Sequence, residues 1–94
     1  MISAKDPAEI VTVTFDFSHL ATAVSAPVIT CDVVRGETHD TTAMLPGSPE
    51  IIGRRVLQRL AGGISGNSYR LACQIDDADG ERWVVAGIMP VRRA

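Results

Sequence analysis

Apolar residues recur at every second position in four stretches of the chain, the spacing by which an extended strand turns one face to a core and the other to water. Val11, Val13, Phe15 and Phe17 alternate with Thr12, Thr14 and Asp16. Over residues 28–34, Ile29, Cys31 and Val33 point one way and Thr30 and Asp32 the other. Tyr69, Leu71, Cys73 and Ile75 alternate with Arg70, Ala72 and Gln74, and Trp83, Val85, Gly87 and Met89 continue one face of a partner strand. Between them stand breakers: Arg35-Gly36-Glu37, Pro46-Gly47-Ser48-Pro49, Gly62-Gly63 with Gly66, and Asp77-Ala78-Asp79-Gly80, whose glycine suits the positive φ of a hairpin. This order of strands and turns predicts an antiparallel, all-β domain.

Other stretches give weaker signals. Residues 18–27 read as a connection that tucks Leu20 and Val24 inward, and residues 41–45 as a short third strand rich in β-branched residues. Residues 49–61 fit two patterns. Ile51, Ile52, Val56, Leu57 and Leu60 share half of a helical wheel behind a Ser48-Pro49-Glu50 start, whereas Gly53 in the interior and the alternation of Val56, Gln58 and Leu60 with Arg55 and Arg59 suit a strand. Residues 1–8 read as a flexible N-terminal tail, residues 9–91 as a single domain and residues 92–94 as a solvated C-terminal tail. Pro90 ends or edges the last strand.

Ninety-four residues suffice for one core and not for two. An apolar share of 46% and a charged share of 21% belong to a folded chain and exclude the disordered class. Nine Lys and Arg stand against eleven Asp and Glu, with no concentrated positive field, so nucleic acid is not an expected partner. No apolar run reaches the length of a bilayer, and the opening Met1-Ile2-Ser3-Ala4-Lys5 lacks the pattern of a secretory signal. No membrane partner is expected, and the site of synthesis is expected to be the cytoplasm.

Set in order, Val13-Thr14-Phe15-Asp16 after Asp6-Pro7, Met44-Leu45 before a Pro-Gly loop, and Val56-x-Gln58-x-Leu60-x-Gly62-Gly63-x-x-Gly66-x-x-Tyr69-x-Leu71-x-Cys73 resemble the small immunoglobulin-like structural proteins of tailed bacteriophages and prophages. The resemblance covers about nine tenths of the chain and rests on turn and core motifs. It implies an immunoglobulin-like or fibronectin-like antiparallel β-sandwich of about seven strands, with Tyr69 at a tyrosine corner and residues 54–61 extended. Tyr69 lies four residues before Cys73 rather than two, and no Trp follows Cys31, so the antibody pattern itself is missing. By the same resemblance Cys31 and Cys73 fall on the strands that antibody domains join by an inter-sheet disulfide. Two reduced, buried thiols are the better reading, because the expected compartment is reducing.

Candidate chemistry is sparse. Asp76, Asp77, Asp79 and Glu81 offer oxygen ligands but lack the regular third acid and distal Glu of a calcium loop, so an acidic hairpin turn accounts for them. His19 and His39, flanked by Asp16, Ser18 and Asp40, lack the geometry of a triad and read as loop residues. Arg54, Arg55, Arg59 and Arg70 read as an ordinary polar face. Trp83 reads as a core anchor packed on Tyr69 across the hairpin. The expected sets of catalytic, cofactor-binding and metal-ligating residues are therefore empty, and an enzyme is not expected. The resemblance implies a virion structural or assembly-associated protein of head, neck or tail, made in the host cytoplasm and carried into the particle. It would act by contact with capsid, neck or tail proteins and be monomeric in isolation. The contact surface is expected at an exposed sheet edge or in the loop over residues 38–49. The alternative is an accessory domain that binds carbohydrate or a host surface, which an exposed aromatic patch would favour.

Overall fold

The computed structural model describes residues 4–93. Six strands follow in chain order: β1 (Val11–Asp16), β2 (Ser25–Arg35), β3 (Glu50–Ile52), β4 (Arg55–Leu60), β5 (Ser68–Asp76) and β6 (Arg82–Pro90). They form two antiparallel three-stranded sheets, in the orders β1-β4-β3 and β2-β5-β6. A parallel bridge between Lys5 and Val91 adds a seventh extended segment. The all-β, two-sheet architecture is the one expected, and residues 55–60 are strand.

Alternation sets the core. Val13, Phe15, Val56 and Leu60 turn inward from one sheet, and Cys31, Tyr69, Leu71, Cys73, Ile75 and Met89 from the other, closing with Phe17, Met44 and Val91 into one apolar cluster. Full burial of such side chains stabilises the fold by about 1.5–3 kcal/mol each. β5, the central strand of its sheet, is the most completely buried.

Four expectations need correction. Residues 41–45 are not a strand, because Asp40 accepts both the backbone N–H and the hydroxyl of Thr42, at 2.9 and 2.6 Å. That side-chain turn leads into a 3-10 turn over Thr42–Met44. Leu20 is exposed, and Ala21 takes the inward place in that connection. Trp83 lies opposite Ile75, not Tyr69, which pairs with Met89. Cys31 and Cys73 lie not on facing sheets but on the adjacent strands β2 and β5, where Cys31 pairs with Leu71 and Cys73 with Ile29. The chain passes from β1 directly into the second sheet, where β2 pairs with β5, so both cysteines belong to one sheet. β3 went unread because its residues are all exposed and carry no alternation. It joins β4 by a two-residue hairpin whose first residue, Gly53, has φ +60°, where a II′ turn needs glycine.

Both cysteines are free and buried, and burial pushes each thiol up to about 11. A raised thiol pKa adds stability that is complete below the ordinary thiol range and is lost as pH rises toward about 11. Thiol titration at about pH 8 should therefore be slow on the folded protein and find two groups in denaturant without reductant. Finding none in denaturant would mean a disulfide.

Lys5 lies within the stretch read as a tail, yet it is 1% exposed. Its backbone N–H donates to Pro90 O at 3.0 Å, and Arg92 N–H donates to Lys5 O at 2.9 Å. Its ammonium donates to the Gly62 and Asp6 carbonyls at 2.7 and 2.9 Å. Desolvation lowers the pKa of this amine, against the opposite pull of Glu9 and Asp6.

Candidate interaction surface

The outer faces of the two sheets differ in chemistry. Across β1-β4-β3 the outward rows set Thr12 beside Arg59, Thr14 beside Leu57 and Glu50, and Asp16 beside Arg55 and Ile52. This face is mostly threonines and charges, with Leu57 half-buried among them and Ile52 exposed on the short edge strand. Across β2-β5-β6 the rows are Val28, Gln74 and Val84; Thr30, Ala72 and Ala86; and Asp32, Arg70 and Ile88. Here aliphatic side chains meet solvent: Val28 is 50% exposed, Val84 52% and Ile88 36%, and Val34, in the register break near the end of β2, 51%. A shallow concavity of about 280 Å³ runs across these rows, lined by Val28, Thr30, Arg70, Ala72, Gln74 and Val84. The exposed aliphatic side chains stand among Thr30, Asp32, Arg70 and Gln74, and such a mixture of apolar and polar groups suits contact with another protein.

The frame beneath this face is braced by buried polar residues. Tyr69, fully buried, accepts through its hydroxyl from Ile64 N–H at 2.9 Å and from Asn67 Nδ2 at 3.3 Å, and donates to His39 Nε2 at 2.7 Å. The link to the backbone five residues upstream is the corner expected of Tyr69. With Nε2 accepting, the imidazole proton sits on Nδ1 and is given to Asp40 O at 2.9 Å. Asn67 holds both backbone groups of Glu37, accepting its N–H at 3.0 Å and donating to its carbonyl at 2.8 Å. At the other end of the sheet Asp77 turns inward. It accepts from the Thr22 hydroxyl, the backbone of Thr22, Ala23 and Ala78, and Trp83 Nε1. Burial works to raise its pKa, but the donors, led by Thr22 and Trp83, hold the carboxyl below the ordinary range.

Among the described residues no three His, Cys, Asp or Glu side chains gather as metal ligands. In the acidic hairpin Asp77 is committed to its donors and Asp76 to Arg82 at 2.9 Å. Asp16 accepts from Ser18 N–H rather than orienting the exposed His19. Arg55 and Arg59 lie on β4 and Arg70 on the opposite sheet, so the arginines do not converge. The loop over residues 38–49 is partly tied down, through Thr41 Oγ1 to Cys31 O and Gln58 Nε2 to Pro46 O. Its tip borders a second hollow, of about 320 Å³, with Thr12, Leu57 and Arg59. No helix of the described residues is long and apolar enough to cross a membrane. Of the surfaces expected from sequence the edges are present, but the aliphatic face was missed. Its signal was the run Val84-Val85-Ala86-Gly87-Ile88, apolar on both parities where β1 is apolar on one.

The family model of the podophage GP4 fiber-tail adaptor protein gp77 matches residues 5–88. No curated protein and no solved structure matches the chain. The match runs from the Lys5 bridge into the last strand, and the chain belongs to this family of tailed-phage structural proteins.

Proposed function

We propose that this protein is the adaptor joining a fiber to the tail of its phage, and that it works by contact between folded surfaces rather than by catalysis. The observation that carries the reading is the family match across nearly the whole sandwich, and the aliphatic outer face of β2-β5-β6 is the surface best fitted to the task. Residues 9–91, together with the Lys5 bridge, act as one unit, monomeric before assembly in the host cytoplasm and then part of the particle. Its partners are tail proteins and not nucleic acid, in keeping with arginines dispersed over both sheets. The other reading, a carbohydrate- or host-surface-binding domain, would call for exposed aromatic rings. Phe15, Phe17 and Tyr69 are buried, and Trp83 is half-buried with its indole N–H given to Asp77.

Mass spectrometry of purified particles should find the protein, and deletion of its gene should give particles without fibers and without infectivity. Ile88→Lys should lower fiber attachment by about tenfold or more, while Thr12→Lys on the opposite sheet leaves it unchanged. Particles lacking the protein, with normal infectious yield after deletion, would refute the role.

A further inference from the structure

Among the described residues the outer edge of β6 is an open half of a hydrogen-bond ladder. Asn67 and Val91 are a hydrogen-bonded pair, since Val91 N–H donates to Asn67 O at 2.9 Å, and at the far end Asp77 N–H donates to Glu81 O at 2.7 Å. Both pairs belong to the register that sets Ser68 opposite Pro90 and Asp76 opposite Arg82. Antiparallel bonding alternates, so residues 83, 85, 87 and 89 turn their N–H and C=O groups to β5. Arg82, Val84, Ala86 and Ile88 turn theirs outward. Two bonds confirm the parity: Pro90 O and Arg92 N–H point outward and are taken by Lys5. Beyond that rung Pro90 has no N–H, and among the described residues no strand lies along Val84, Ala86 and Ile88.

Sheet edges are ordinarily blunted by charge, proline, a bulge or short length. β2, the other edge of this sheet, has Pro27, Asp32, two register breaks and Ala26 at φ +50°. In the other sheet β3 has three residues and β1 ends in Asp16. Between Arg82 and Pro90, β6 has none of these devices, and it is in unbroken register with β5 over nine pairs. The side chains of its outward-bonding residues are also those of the aliphatic face, so a strand laid along this edge would widen that face.

We propose that β6 is a strand-addition site, at which an extended segment of the tail fiber continues the β2-β5-β6 sheet. This rests on the adaptor reading and names the form its contact takes. The segment is apolar at alternate positions, to lie beside Val84, Ala86 and Ile88, and acidic at the end that abuts the Lys5 rung, just past which Arg92 is exposed. The single rung made by Lys5 is this edge already bonding a parallel strand on its outward groups.

Amide hydrogen exchange on the full chain, alone and with the purified full-length fiber protein of the same phage, tests the site. Bound fiber should slow exchange at Val84, Ala86 and Ile88 by about tenfold or more, leaving Val85 and Gly87, already bonded to β5, unchanged. Ala86→Pro removes one outward N–H at the parity where Pro90 already sits, and should weaken binding by about tenfold. Should that variant misfold, the exchange pattern of the natural chain still decides. Fiber binding without protection of these three amides would overturn strand addition and leave the adaptor role standing. Protection that appears with protein concentration alone, without fiber, would overturn it in favour of pairing between copies. Absence of binding to both fiber and tail would instead defeat the adaptor reading itself.

Discussion

Tyr69→Ala is expected to cost about 3–5 kcal/mol of folding stability, a large share of the roughly 5–15 kcal/mol available to a domain of this size. The ring is fully buried in the central strand, so its loss opens a cavity that the surrounding sheets cannot close. Tyr69→Phe separates packing from polarity. It keeps the ring and deletes only the hydroxyl, stranding Ile64 N–H and the acceptor nitrogen of His39. An unmet buried donor costs about 1–3 kcal/mol. Urea unfolding followed by tryptophan fluorescence measures both variants. A Tyr69→Phe midpoint equal to that of the natural protein would mean that the corner contributes no stability.

Gly36→Ala is the second large effect, about 2–4 kcal/mol. Gly36 has φ +106°, a conformation that side-chain-bearing residues rarely adopt, and an added Cβ would overlap the Asn67 carboxamide. That carboxamide holds both backbone groups of Glu37, so the substitution combines backbone strain with two lost hydrogen bonds. Pairing it with Asn67→Ala distinguishes the causes. If the clash with Asn67 dominates, Gly36→Ala costs less in the Asn67→Ala background than in the natural one. An unchanged cost would assign the effect to φ alone, and no cost in either background would refute both.

How far the sequence could be read depended on whether the deciding contact was local. β1, β5 and β6 were legible because Val13 with Phe15, Leu71 with Cys73 and Val85 with Met89 repeat at the period of a strand. Residues 41–45 are the exception: their deciding contact is local, but one Asp40 side chain bonded two residues on overrides the β propensity of its neighbours. The adjacency of Cys31 and Cys73 follows from a pairing between β2 and β5 that no local pattern encodes. Asp77 reads as one acid of a hairpin turn and Asn67 gives no signal, since nothing in composition separates a polar side chain that faces water from one that clamps a distant backbone. The outer face of β6 was missed because only the parity of Trp83, Val85, Gly87 and Met89 was read, while Val84, Ala86 and Ile88 between them meet solvent on a sheet covered on one side only.

The bridge between Lys5 and Val91 has a mechanical consequence. The two strands run parallel, so a load drawn between the start of the first and the end of the second acts along their common axis. Tension in that direction strains the bonds of Lys5 to Pro90 and Arg92 together, like a lap joint, instead of peeling them one after the other. Leverage applied across the strands meets one bond at a time. The same small join therefore yields readily to a sideways tug and holds against a lengthwise one.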